Sequence, residues 1–360
     1  MSFDKMIIII MAAFAVLGGL DRIFGNRLKL GEAFENGIKT MGELALSMVG
    51  IIVLAPVIAK VLAPVVSPVF GWLGADPSCF AGILLACDMG GAPLAKELAL
   101  DPAAAQLSGL ITASMLGATV SFTIPVAMNV LKGEDRTYGA KGILCGVITI
   151  PLGILLGGLA AGLPFLMVLK NALPILIVSL LIALGLWKWE RGLICGFVWF
   201  GRIITAVATV GLLAGGVELI TDFTIIPGLG SMEEAFAVVG EIAIVLAGAF
   251  PLIAMIQKIL KKPIAKVGQW MKINENSVSG LIATLANSIA TFDLVKTMDG
   301  RGKVINMAFA VSGAFVFGDH LAFTAGFDRS MILAVIIAKL SAGLAAVGIA
   351  ILLTKKKSAK

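Results

Sequence analysis

The stretch FVFGDHLAFTAG, Phe315 to Gly326, is apolar on both sides of an Asp-His pair, and His320 is the only histidine in the chain. Asp319 can balance a cation, and an imidazole can carry or sense a proton near neutral pH. A second unusual carboxylate stands in Ala86-Cys87-Asp88-Met89-Gly90-Gly91. The paired glycines there let backbone approach a ligand closely. A third polar cluster, Asn287-Ser288 followed by Thr291 and Asp293, interrupts another apolar run. Glu43 and Glu241 each sit in the same local pattern, Gly-Glu-x-Ala. Thr119, with Ser121 and Thr123, adds hydroxyls after Gly117. Carboxylates, an amide, hydroxyls and free backbone amides suit a small polar cation. Each residue also has a structural alternative. Asp88 can cap the helix after the glycines, Asp293 can pair with Lys296, and the two glutamates can accept backbone hydrogen bonds. The hydroxyls can bond back to their own helix, and the Asp319-His320 pair can satisfy the backbone of a broken helix.

The elements that must position these groups are membrane helices. Hydrophobic residues make up 59% of the 360 and charged residues only 14%. A soluble domain of this length cannot hide so much apolar surface. About eleven apolar segments recur along the chain, each near the ~20 residues that cross a bilayer. The first begins almost at Met1 and has no small-residue cleavage pattern behind it, so it reads as a span and not a signal peptide. The segments near 77–95 and 277–296 carry the Asp88 and Asn287 clusters, and neither makes a comfortable lipid-facing helix. If both are re-entrant hairpins, about nine full crossings remain. Most of the 28 basic residues then fall on one side, as cytoplasmic loops require. The N-terminus is then outside and the C-terminus cytoplasmic. Within such a span, a helix counted from Val304 places Asp319 roughly 20 Å along, past mid-bilayer.

An internal repeat points the same way. GELALSMVGIIVLAPVIAK from Gly42 aligns with GEIAIVLAGAFPLIAMIQK from Gly240. The register continues through Trp72 with Trp270 and Gly82 with Gly280, then after a short insertion Gly117 with Gly318 and Phe122-Thr123 with Phe323-Thr324. The expected organisation is one transmembrane domain. It comprises a first repeat at 1–163, a linker span at 164–192, a second repeat at 193–353 and a Lys-rich cytoplasmic tail at 354–360. With hairpins, the second repeat is inverted relative to the first. Inverted repeats with paired broken segments mark many secondary transporters, whose site lies at the repeat interface near the midplane. The expected fold class is therefore an all-α, inverted-repeat, transporter-like bundle.

Other classes fit poorly. No HExxH, GxSxG or Walker A pattern is present. Position 316 is Val where intramembrane aspartyl proteases need Gly, and Gly139 follows Tyr138 where they need Tyr-Asp. Cys79, Cys87, Cys145 and Cys195 show no CxxC spacing and read as buried apolar thiols. No catalytic residue, metal or cofactor is expected. The net charge of +6 reflects basic loops against lipid, not nucleic-acid binding.

LLACDMGG (Leu84 to Gly91), ATLANSI (Ala283 to Ile289), MDGRGKVINMAFAVS (Met298 to Ser312), FGDHLAF (Phe317 to Phe323) and MVGIIVLAPVIAKVLAPV (from Met48) resemble the ethanolamine permease family EutH. The motifs occur in the same order over nearly the whole chain. Ala92-Pro93 stand where an aromatic residue often follows the double glycine in that family. Ser288 and Ala290 stand where it often has a second Asn and a Pro. The resemblance implies passage of ethanolamine across a bacterial inner membrane to a cytoplasmic ethanolamine ammonia-lyase pathway. The residues expected to bind it are Asp88, Met89, Gly90, Gly91, Asn287, Ser288, Asp319, His320, Thr119, Glu43, Glu241 and Asp293. Another small amine is the alternative substrate and a channel the alternative mechanism. Uniport and ion coupling both fit, and a homodimer is compatible with the sequence.

Overall fold

The structure, a computed structural model, describes residues 3–354. The expected Lys-rich tail lies, beyond Thr354, outside the described residues. Every regular element among them is helical. Lipid offers no water to free N–H and C=O groups, so each crossing segment must satisfy its own backbone. In chain order the helices are α1 (Phe3–Ile23), α2 (Leu30–Trp72) and the short α3 (Cys79–Leu84) and α4 (Gly91–Leu98). Then come α5 (Pro102–Val130), α6 (Glu134–Ala160), α7 (Phe165–Lys188), α8 (Glu190–Thr221) and α9 (Met232–Met271). The last are α10 (Glu275–Ala286), α11 (Ser288–Leu294), α12 (Gly300–Gly313), α13 (Asp319–Phe327) and α14 (Arg329–Leu353).

Among the described residues, eight helices are long and apolar enough to cross a membrane: α1, α2, α5, α6, α7, α8, the first part of α9, and α14. The remaining apolar segments are all interrupted. Two of these, α3–α4 and α10–α11, break where Asp88 and Asn287 stand. The third differs from the sequence expectation. The chain from Val304 does not continue as one helix to Asp319. Helix α12 ends at Gly313, Ala314 is extended, and Phe315 takes a left-handed φ of 61°. Asp319 therefore opens the first turn of α13.

The freed backbone of that break finds partners in another one. The amides of Phe315 and Phe317 donate to the carbonyls of Thr284 and Leu285 at 3.0 and 2.9 Å. Those carbonyls belong to the last turn of α10, which has no N–H donors for them in its own helix. Gly318 makes the approach possible, because a Cβ there would strike the Ala286 carbonyl oxygen. Gly117 on α5, aligned with it in the sequence analysis, meets the Leu85 carbonyl oxygen in the same way. The alignment expected from sequence sets α2 beside α9, α3–α4 beside α10–α11, α5 beside α12–α13, and α6 beside α14. Helix α5 is unbroken where its counterpart breaks, but it is wound as π-helix over Leu107–Gly117 and Thr119–Thr123.

Burial separates centre from periphery. The apolar window of α5 is 89% buried, whereas that of α8 is 22% buried and faces outward. Cys195 on α8 is exposed, so only three of the four cysteines are the buried thiols expected. Small residues let the central helices close up. Gly142 and Gly146 of α6 meet Met307 and Val311 of α12, while Gly153 and Gly157 meet Ala342 and Ala338 of α14.

Candidate functional site

The breaks meet around a cavity of about 250 Å³. The turn between α3 and α4 contributes Ala86, Asp88 and Met89. The α10–α11 break contributes Asn287 and Ile289, and the α12–α13 break contributes Phe315, Asp319 and His320. Helix α2 closes one side with Thr40, Glu43, Leu44 and Ser47, beside its π turn at Ala45–Val49. Helix α5 closes another with Ala118 and Phe122. Three carboxylates, Glu43, Asp88 and Asp319, thus face one small space that, among the described residues, no Lys or Arg side chain lines.

Of the residues expected from sequence, the fold brings Asp88, Met89, Asn287, Glu43, Asp319 and His320 together at this cavity. Asn287 also caps α11, its Oδ1 accepting from the Ile289 amide at 2.8 Å. The other six lie outside the lining. Gly90 has a left-handed φ of 90° and packs on the Ile51 side chain, where a Cβ would not fit. Gly91 lies against the carbonyls of Leu85 and Ala86. Ser288 is fully buried, and its hydroxyl has no hydrogen-bond partner among the described residues. Thr119 takes the structural option, donating to the Met115 carbonyl at 2.7 Å and reaching that of Val311 at 3.3 Å. Glu241 is exposed on α9, and Asp293 is exposed on α11.

Phe122, Phe315 and Lys339 are among the groups at or behind the cavity that were not singled out from sequence. Phe122 and Phe315 pack edge to face with ring centroids 5.6 Å apart, and Phe315 lies 5.0 Å from the His320 ring. The register match of Phe122-Thr123 with Phe323-Thr324 was the available signal for the first. Lys339 is the third. It is fully buried in α14, and its Nζ donates to the Ser114 carbonyl at 2.6 Å. The same Nζ lies 3.0 Å from His320 Nδ1, while His320 Nε2 faces Asp88 Oδ1 at 3.6 Å. A basic residue inside an apolar helix was the signal, and intramembrane charge is functional by default.

The donor atoms of Cys87, Asp88 and His320 lie within 4.8 Å of one another, a spacing a metal ion could use. Lys339 already presses a cationic group against the imidazole. We assign no metal here. Serine 121 instead organises this turn, accepting from the Ala86 amide at 3.2 Å while donating to the Gly117 carbonyl at 2.7 Å.

These features define an all-helical, multi-pass membrane protein with an acidic cavity at the junction of its broken helices. The chain belongs to the family described as ethanolamine utilisation protein, EutH, whose model matches residues 3–353. A probable ethanolamine permease EutH of Listeria monocytogenes is 51% identical over 360 residues, covering 100% of this chain and 96% of that protein. A probable ethanolamine permease EutH of Salmonella typhimurium is 43% identical over 397 positions, covering 100% and 97%. An uncharacterized Bacillus subtilis protein, YxeR, is 46% identical over 360 residues, covering 100% and 97%. No solved structure matches the chain.

Proposed function

We propose that the chain carries ethanolamine, as its ammonium, across the bacterial inner membrane and that the cavity at the helix breaks is the binding site. The observation that carries this reading is the convergence of Glu43, Asp88 and Asp319 on a small space with no basic side chain in its lining among the described residues. A carboxylate takes the ammonium, and Asn287 or Ser47 takes the hydroxyl. The faces of Phe122 and Phe315 add cation–π attraction. The names of the relatives support the substrate.

On this reading α3–α4 and α10–α11 are re-entrant hairpins, and α12–α13 is a broken ninth crossing. The halves 1–163 and 193–353 are inverted repeats joined by a linker span at 164–192. The N-terminus is outside and the C-terminus cytoplasmic. The protein is an alternating-access carrier that supplies a cytoplasmic ammonia-lyase pathway. A second substrate reading has one observation behind it. At about 30 Å³ per water-sized group, the four non-hydrogen atoms of ethanolamine fill about half of the cavity. A somewhat larger amino alcohol also fits.

Uptake of labelled ethanolamine into proteoliposomes at pH 6, with and without H⁺ and Na⁺ gradients, tests the reading. Saturable uptake is expected, and its response to the gradients separates uniport from coupling. A protein that moves no ethanolamine but is driven by another amine would transfer the site to that substrate.

A further inference from the structure

Lys339 has no carboxylate of its own. Among the described residues it takes part in no ion pair, and its ammonium touches only the Ser114 carbonyl and His320 Nδ1. With Lys339 protonated, its ammonium has donors and no acceptor, so Nδ1 accepts and the imidazole proton sits on Nε2. That N–H points at Asp88. The positive charge of Lys339 is therefore balanced through the ring by a carboxylate that lines the cavity.

The rest of its surroundings contributes little charge. The titratable groups around it are His320 of α13 and Cys87 and Asp88 of the α3–α4 turn. Helix α5 presents a carbonyl, while α6 and α12 meet α14 through Gly153, Gly157 and Phe309. Helix α1 meets it at the far end, where Asp4 accepts from the Leu333 amide. Asp319 and Glu43 line the same cavity, but neither lies within ion-pair distance of Lys339 or His320.

A second cation on Asp88 would leave one buried positive charge uncompensated, which a dry interior tolerates poorly. Lysine can relieve this by releasing a proton, which arginine cannot. We propose that Asp88, His320 and Lys339 form a relay that releases one proton each time an ammonium substrate settles on Asp88. A proton passes from Lys339 Nζ to His320 Nδ1. The Nε2 proton passes to Asp88 Oδ1 and from there to water in the cavity. The ring ends in its other tautomer, Lys339 ends neutral, and nothing is oxidised or reduced. At 3.6 Å the last contact is open, and a shift of about 1 Å closes it to hydrogen-bond length. The proposal rests on the ethanolamine reading and adds the coupled ion.

The test is calorimetric titration of the purified full chain with ethanolamine, in two buffers of different ionisation heat. A primary ammonium of lysine type stays protonated at pH 6–7, so the ligand itself releases nothing. About one proton is expected per ethanolamine bound, with affinity rising about tenfold between pH 6 and pH 7, because released protons oppose binding by mass action. Lys339→Met should bind more tightly than wild type at pH 6, release no proton and lose the pH slope. Lys339→Arg, a cation that cannot leave, should bind at least about tenfold more weakly and also release none. A purely structural lysine would not give these opposite signs. If wild type binds with heat independent of buffer, or Lys339→Met still releases a proton, the relay is wrong and the ethanolamine site stands. If wild type binds no ethanolamine, both fall. A wild-type binding heat that does not depend on the buffer rejects the relay even if the Lys339 variants fail to fold.

Discussion

Asp88→Asn is the sharpest perturbation of the cavity. The side chain keeps its shape and loses its charge. Asp88 lines the cavity with its side chain 16% exposed, so a contact with an ammonium there is largely shielded from water. A hydrogen bond to a charged partner in such a setting is worth about 1.5–3 kcal/mol. At about 1.4 kcal/mol per factor of ten, half-saturation for ethanolamine uptake should rise roughly 10- to 100-fold. The loss should be partial, because Glu43 and Asp319 still face the same space. The assay is concentration-dependent uptake into proteoliposomes at pH 6. Glu241→Gln is the matched control, since Glu241 sits exposed on α9 away from the cavity, and it should change half-saturation less than twofold. An Asp88→Asn protein with wild-type half-saturation, or a Glu241→Gln protein with the larger defect, would refute the placement of the site.

Other outcomes follow from the same geometry. Gly318→Ala should lower the melting temperature of the detergent-purified protein and reduce uptake, because its Cβ meets the Ala286 carbonyl and such overpacking costs about 1–3 kcal/mol. Gly348→Ala, which meets nothing within 4 Å, should leave both unchanged. Phe122→Leu should weaken ethanolamine binding roughly 2- to 30-fold, the range of a cation–π contact of about 0.5–2 kcal/mol. Equal binding would show that the ring only packs. Cells lacking the protein should lose ethanolamine uptake at pH 5 far more than at pH 8.5. The freely permeant neutral amine grows about tenfold per pH unit below the amine's pKa, and equal dependence at the two values would sink that expectation.

The paired glycines after Asp88 and the Asn287 cluster were legible as breaks, and the Asp-His pair as charge within a span, because each puts polar groups where lipid permits none. Five of those residues, Asp88, Met89, Asn287, Asp319 and His320, line one cavity with Glu43. Symmetry was a poorer guide. Glu43 and Glu241 share a register, yet Glu43 lines the cavity beside the π turn of α2 while Glu241 is exposed on α9. The break before Asp319 was hidden, since Phe315 and Phe317 look like ordinary apolar helix. Only the carbonyls of Thr284 and Leu285, far off in sequence, reveal why their backbone leaves the helix. Lys339 was legible as a charge within a span but not as a partner of His320. That contact depends on how α13 folds back on α14, which no local pattern encodes.

The most direct test of the central claim is an experimental structure of the full chain determined with ethanolamine. The ammonium should lie within about 3 Å of an Asp88 or Asp319 carboxylate oxygen, the length of a charge-assisted hydrogen bond, with Phe122 and Phe315 beside it. Ethanolamine bound elsewhere, with Asp88, Asp319 and Glu43 untouched, would contradict the account.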